Sequence, residues 1–156
     1  MVWVVFGVLG VAVLIVLFQF MPQEPRAKKE MFVVGEKTTE AQLIQNLKTF
    51  GFIRSQWAFR TILRLEGWEG KINPGGYEIS RSMNVLRMAG ELVSHPYQEW
   101  VTIPEGLRKE EVADILQKNL NWDDKTKQEF IGEAKEGYLF PDTYLIDLSY
   151  TGKQTA

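Results

Sequence analysis

The least generic stretch of the chain is Glu136-Gly137-Tyr138-Leu139-Phe140-Pro141-Asp142-Thr143-Tyr144. A glutamate followed by glycine, then by an apolar and aromatic run broken by proline, places one carboxyl on a tight backbone turn beside low-dielectric side chains. Shielding by Tyr138 and Phe140 would favour the neutral carboxylic acid and leave Glu136 able to donate a proton near neutral pH. On residue chemistry alone the plainer alternative is a solvated glutamate before a glycine, with Tyr138, Leu139 and Phe140 filling a core. Asp142, directly after Pro141, has the place of a turn or cap residue.

Other chemistries find little support. The sequence has no cysteine and one histidine, His95 in Ser94-His95-Pro96, so thiolate chemistry is excluded and the lone imidazole reads as an ordinary solvated side chain. No metal site and no cofactor is called for. Lysine and arginine (18) are interleaved with aspartate and glutamate (20), giving a net charge of −2 and no basic face of the kind that holds nucleic acid. The absence of cysteine leaves the redox compartment open.

The elements that must position Glu136 follow from periodicity. Residues 1–22 carry no charge, and a helix of that length spans about 30 Å, so a retained transmembrane anchor is expected. It lacks the basic start and small-residue exit of a cleaved signal. Arg26, Lys28 and Lys29 follow the segment and no basic residue precedes it, which by the positive-inside rule argues for a cytoplasmic C-terminal side. Residues 23–30 form a polar, proline-containing linker.

A short strand is predicted over 31–34, then a helix capped by Thr38 or Thr39, with Thr39 and Gln42 spaced as a capping box. Leu43, Ile44, Leu47 and Phe50 line its apolar face, and Gly51 ends it. Ser55 caps a second helix with Phe59, Ile62, Leu63 and Leu65 inward and Gly67 as its stop, and Asn73-Pro74-Gly75-Gly76 leads into a strand at Tyr77-Glu78-Ile79. Ser82 is expected to cap a third helix, with Met83, Leu86, Met88, Ala89 and Leu92 as core. Glu99–Ile103 alternates as a strand, meets Pro104-Glu105-Gly106, and precedes a helix carrying Val112, Ala113, Ile115 and Leu116. Val34–Leu47 and Ile103–Leu116 share strand, turn and helix at a constant offset, which suggests a duplicated unit. Asn121-Trp122-Asp123 opens a polar helix running to about Lys135, with Phe130 and Ile131 inward.

The strand-helix-helix-strand order over 31–79 resembles the LysM fold, a small sugar-binding module. Ile103-Pro104-Glu105-Gly106, followed some thirty residues later by Glu136 to Tyr144, resembles the two motifs of the YceG-like (MltG) endolytic murein transglycosylase family. The resemblance covers nearly the whole chain. It implies an α+β protein: transmembrane helix (1–22), linker (23–30), LysM-like βααβ module and following helix (31–95), then the first part of a mixed α/β catalytic domain (96–156).

It further implies that Glu136 is the catalytic acid/base of a lytic transglycosylase, a peptidoglycan lyase with no cofactor, and that Glu105 is structural. Tyr138, Asp142, Thr143 and Tyr144, with Gly76 and Tyr77, are the candidates for holding substrate. The implied partners are peptidoglycan glycan strands, the membrane and peptidoglycan synthases, and the implied place is the bacterial cytoplasmic membrane with the bulk facing the cell wall. Family members continue well past the Pro-Asp-Thr-Tyr motif, so a chain ending at Ala156 is expected to be weakly active or inactive, with its last dozen residues poorly ordered. The alternatives are a non-catalytic, membrane-tethered peptidoglycan-binding scaffold, with the turns at Gly35–Thr38 and Asn73–Tyr77 as its sugar site, and a cytoplasm-facing membrane protein.

Overall fold

A computed structural model describes residues 2–156, with Val2 and Val5 described by their backbone alone. The chain divides into two units, Met1–Asn73 with Tyr77–His95, and Pro74–Gly76 with Pro96–Ala156.

The first helix, α1 (Val2–Phe18), leaves Trp3, Phe6, Leu9 and Leu14 exposed. Its 17 residues rise about 25 Å at 1.5 Å each, against about 30 Å of hydrocarbon. No helix among the described residues is long and apolar enough to cross a membrane. The transmembrane helix expected over 1–22 is therefore not found; Met1 lies outside the described residues. The physical reason lies at the other end. The amides of Gln19, Phe20 and Met21 bond back three residues and tighten the chain out of the helix. Phe20 then packs on the core edge-on to Trp57, at 6.1 Å between ring centroids, and Arg54 donates to the Pro22 carbonyl at 2.7 Å while covering the Phe18 ring.

The rest of the first unit runs β1 (Lys29–Val34), α2 (Glu40–Thr49), α3 (Gln56–Leu65), β2 (Gly75–Ser80) and α4 (Val85–Ser94), with β1 beside β2. Residues 23–28 are irregular yet held in place: the Gln23 and Glu24 amides donate to the Arg81 carbonyl, and the Ser80 hydroxyl donates to the Ala27 carbonyl. The Thr39–Gln42 capping box forms as the sequence predicts, Ser55 caps α3, and Gly51 (φ 76°) ends α2 in the left-handed region. Leu43, Ile44, Leu47, Phe59, Leu63 and Ile79 are buried together. Phe50 and Leu65, expected on the apolar faces, are exposed because each sits at the end of its helix, past the last turn that faces the core. Asn84, not Ser82, caps α4, since the Ser82 amide is taken by the Ser80 hydroxyl in a turn that delays the helix to Val85.

The second unit runs β3 (Gln98–Ile103), α5 (Lys109–Leu120), α6 (Asp124–Glu133), β4 (Asp142–Asp147) and α7 (Gly152–Thr155). This is the order of the first unit from β1 to α4, so the duplication extends through all five elements. Buried Leu43, Ile44 and Leu47 of α2 correspond to buried Val112, Ala113 and Leu116 of α5. The N-caps Thr39, Ser55 and Asn84 correspond to Arg108, Asp123 and Thr151. Arginine offers no acceptor, so at α5 only half of the box exists: Glu111 takes the Arg108 amide at 2.8 Å.

Strand β4 is antiparallel to β3, from Gln98 opposite Asp147 to Ile103 opposite Asp142, which makes this unit α+β. Gly76 pairs with Gln98, and at Gly75 (φ 157°) a side chain would meet the Gln98 backbone carbonyl oxygen at 2.6 Å, so glycine is required there by close approach. The last dozen residues, expected to be poorly ordered, instead complete β4 and form α7. Thr151 and Gln154 make a capping box, and the Gly152 backbone lies against the α6 backbone at Thr126 and Phe130, a spacing that excludes a side chain.

Candidate functional site

Glu136 occupies the second position of a reverse turn closed by the Tyr138 amide on the Lys135 carbonyl at 3.2 Å, with Gly137 at φ 80° in the third. Glycine takes that backbone conformation without the Cβ penalty other residues carry. The turn directs the carboxyl outward, and Glu136 is exposed. Tyr138 and Phe140 are 73% and 71% exposed, so the apolar shield expected around the carboxyl is not supplied by them. The carboxylate accepts the backbone N–H of Lys109 at 3.3 Å, the first residue of α5. A helix N-terminus has unpaired donors and a favourable potential for negative charge, so α5 both locates and solvates this group. The Lys109 ammonium donates to the Ile131 carbonyl at 3.0 Å, tying the start of α5 to α6.

Beside this turn the core of the second unit opens into an apolar cavity of about 290 Å³. Ile103, Leu116 and Phe130 line it, and Tyr138, Phe140 and Tyr150 are at its edge with their rings partly in solvent. Such a combination of exposed aromatic faces, an apolar recess and one carboxylate suits a ligand with alternating apolar and hydroxylated faces, as a sugar chain has.

The remaining candidates fall in different places. Asp142 is exposed at the start of β4 and accepts the amide of the next residue, Thr143, at 2.7 Å. Thr143 pairs its hydroxyl with that of Thr102 at 2.9 Å across the β3–β4 ladder. Tyr144 lines the cavity and donates its hydroxyl to the Phe140 carbonyl at 2.8 Å. Tyr77 is 1% exposed in the first core, with its hydroxyl on the Asn73 carbonyl at 2.7 Å, and Gly76 is buried against Gln98; neither presents a surface to a ligand. Glu105 is exposed in the turn before α5, where Gly106 has φ 81°. His95 ends α4, exposed and 3.5 Å from the Glu91 carboxylate. Among the described residues no group of three ligand-type side chains could hold a metal ion.

The sequence matches the YceG-like family over residues 32–156, both units included. The chain belongs to the YceG-like family. The match takes in both motif segments, Ile103–Gly106 and Glu136–Tyr144, as well as the whole of β1 to α4 save its first three residues. No curated protein matches the chain. Among solved structures, a yceG-like protein of Listeria monocytogenes is 17% identical with a TM-score of 0.44, over 82% of this chain and 52% of that one, so this chain spans about half of that protein's length.

Sequence reasoning missed two contributors to the site. Tyr150 escaped because β4 and α7 were not recognised, although Thr143-Tyr144-Leu145-Ile146 has the β-branched and aromatic content of a strand. The hold of Lys109 on Glu136 is a backbone contact, and only the helix start after Pro104-Glu105-Gly106 could have hinted at it.

Proposed function

We propose that the chain carries the acid/base centre of an endolytic peptidoglycan lytic transglycosylase. The observation that carries the reading is Glu136, exposed on a hydrogen-bonded turn whose last residue, Tyr138, lines an aromatic-edged cavity, in a family that includes MltG-type transglycosylases. Glu136 in its acid form donates its proton to the glycosidic oxygen between N-acetylmuramic acid and N-acetylglucosamine as the bond from that oxygen to the muramoyl C1 breaks. The muramoyl C6 hydroxyl oxygen then bonds to C1, and its proton passes to Glu136. The acid is restored, a 1,6-anhydro end is formed and no water is consumed. A positioned acid/base group of this kind contributes about 10²- to 10⁴-fold, and the mechanism differs from the two-carboxylate hydrolases in needing only one.

In this reading Tyr138 and Phe140 offer ring faces to the glycan, while the first unit acts as a LysM-like module that retains the strand. The exposed apolar side chains of α1 favour a non-aqueous partner, which supports a protein held at the cytoplasmic membrane and working on the cell-wall side beside peptidoglycan synthases. A second reading, a glycan-binding scaffold without catalysis, is favoured by one feature: Glu136 is open to solvent and not enclosed by its aromatic neighbours.

The two readings separate on product chemistry. Uncrosslinked glycan strands incubated with the protein and with Glu136→Gln are analysed by mass spectrometry. Anhydro-ended fragments from the first and none from the second are expected. No anhydro products from either, with binding to sacculi retained in both, would establish the scaffold.

A further inference from the structure

The duplication reaches into the loop that holds the acid. Glu69-Gly70-Lys71-Ile72-Asn73-Pro74-Gly75-Gly76-Tyr77 and Glu136-Gly137-Tyr138-Leu139-Phe140-Pro141-Asp142-Thr143-Tyr144 align position by position, with glutamate, glycine, proline and tyrosine in common. Each begins with the same turn: the Lys71 amide donates to the Trp68 carbonyl at 3.1 Å, as the Tyr138 amide does to that of Lys135, and Gly70 (φ 68°) matches Gly137 (φ 80°). In each, the turn is tied to the first residue of the unit's first strand-following helix. Glu40 accepts the Gly70 amide at 2.6 Å in one, and Lys109 donates its amide to Glu136 in the other.

Each loop ends in the same tie. Tyr77 donates its hydroxyl across Pro74 to the carbonyl four residues back, Asn73, and Tyr144 does so across Pro141 to Phe140, at 2.7 and 2.8 Å. The match continues past the strands, where the Ser82 amide is taken by the Ser80 side chain and the Ser149 amide by that of Asp147. In the first unit the tyrosine is buried, and its hydroxyl ties the loop carbonyl of Asn73 to β2. The same donor, acceptor and spacing recur around Glu136.

We infer that Tyr144 is a positioning residue: its hydroxyl braces the Glu136–Pro141 loop against β4 and fixes where the acid is held, and it does not bind substrate. The inference rests on the reading of Glu136 as the acid, yet the brace itself can be measured without any turnover. A brace worth one ordinary hydrogen bond, about 0.5–1.5 kcal/mol net, corresponds to about 2- to 10-fold in local opening. Proline between the tied residues limits the alternatives the loop can take once released, but does not itself hold the turn.

The test pairs Tyr144→Phe with Tyr77→Phe in hydrogen-exchange mass spectrometry. Tyr144→Phe is expected to speed exchange about 2- to 10-fold in residues 135–141 and leave 68–74 unchanged, with the reverse for Tyr77→Phe. On glycan strands, Tyr144→Phe is expected to lower kcat with KM unchanged. Unaltered exchange over 135–141 would overturn the inference, and so would a rise in KM with kcat preserved, which would make Tyr144 a substrate contact. If the parent protein forms no anhydro products, that failure falls on the transglycosylase reading, while the exchange result still decides the brace.

Discussion

The two units use one frame for different ends. In the first, the loop before β2 is closed: Tyr77 is buried, and Glu69 is paired with Arg64 at 3.3 Å. In the second, the equivalent loop before β4 replaces the Asn-Pro-Gly-Gly sequence with Phe-Pro-Asp-Thr, puts Tyr138 and Phe140 into solvent, and hands its glutamate to the start of α5. The polarity of the loop-to-helix tie is reversed between them. The first unit places the carboxylate on the helix and the amide on the turn; the second places the carboxylate on the turn. The two loops thus present a carboxylate differently above the same order of capped helices and strands. In the second core the buried Val112, Leu116 and Phe130 also line the cavity, whereas Leu47, Leu63 and Ile79 of the first are 0% exposed.

That contrast should appear first in stability. Leu47 and Leu116 hold equivalent places, but Leu47 is fully enclosed while Leu116 lines the cavity. Leu47→Ala is expected to cost about 3–5 kcal/mol and Leu116→Ala about 2–3, since the latter enlarges a space already open to water. Urea unfolding of both variants checks this, and equal losses would remove the distinction between a closed and an open core.

A smaller effect tests the frame itself. Val85 begins α4 with a buried side chain, whereas Gly152 begins α7 where its backbone meets that of α6. Gly152→Ala is expected to cost about 1–3 kcal/mol by forcing α7 away, seen as faster hydrogen exchange over 148–156. The caps differ more gently. Thr39→Ala should cost about 1 kcal/mol, and Arg108→Thr, which gives α5 the acceptor its counterpart has, should gain about 0.5–1 kcal/mol; a loss in the second case would break the equivalence of the two boxes.

The smallest effect concerns pH. The hydrogen bonds that Thr126 donates hold the Asp123 carboxyl below its ordinary 3.8. A carboxyl with a depressed folded value binds protons more weakly folded than unfolded. Its contribution is therefore present above about the ordinary value and is lost as pH falls through the folded one. Asp123→Asn should flatten the acid limb of stability below pH 4 and leave neutral stability nearly unchanged.

Much of this was legible in the sequence. Thr39 and Gln42, Ser55, Gly51 and Gly67 marked their helices through local hydrogen bonds and backbone preference, which depend on few neighbours. Glu136-Gly137 was readable as a turn for the same reason. What failed depended on the surroundings. The apolar face expected to include Phe50 and Leu65 ran past the point where α2 and α3 meet the core. The apolar N-terminal run gave no sign that Phe18 to Pro22 would be claimed by Arg54, Trp57 and Val85. Strand β4 was hidden inside a motif read for its chemistry, although Tyr144-Leu145-Ile146 follows the pattern of Tyr77-Glu78-Ile79. The shielding of Glu136 by Tyr138 and Phe140 was inferred from composition alone, and composition does not say which way a turn directs its side chains.

The most direct test of the account compares the two equivalent glutamates in one assay. Glycan strands are treated with the parent protein, Glu69→Gln and Glu136→Gln, and 1,6-anhydro ends are counted by mass spectrometry. The account predicts full product formation with Glu69→Gln and none with Glu136→Gln. Equal activity in both variants, or a loss that follows Glu69, would contradict it.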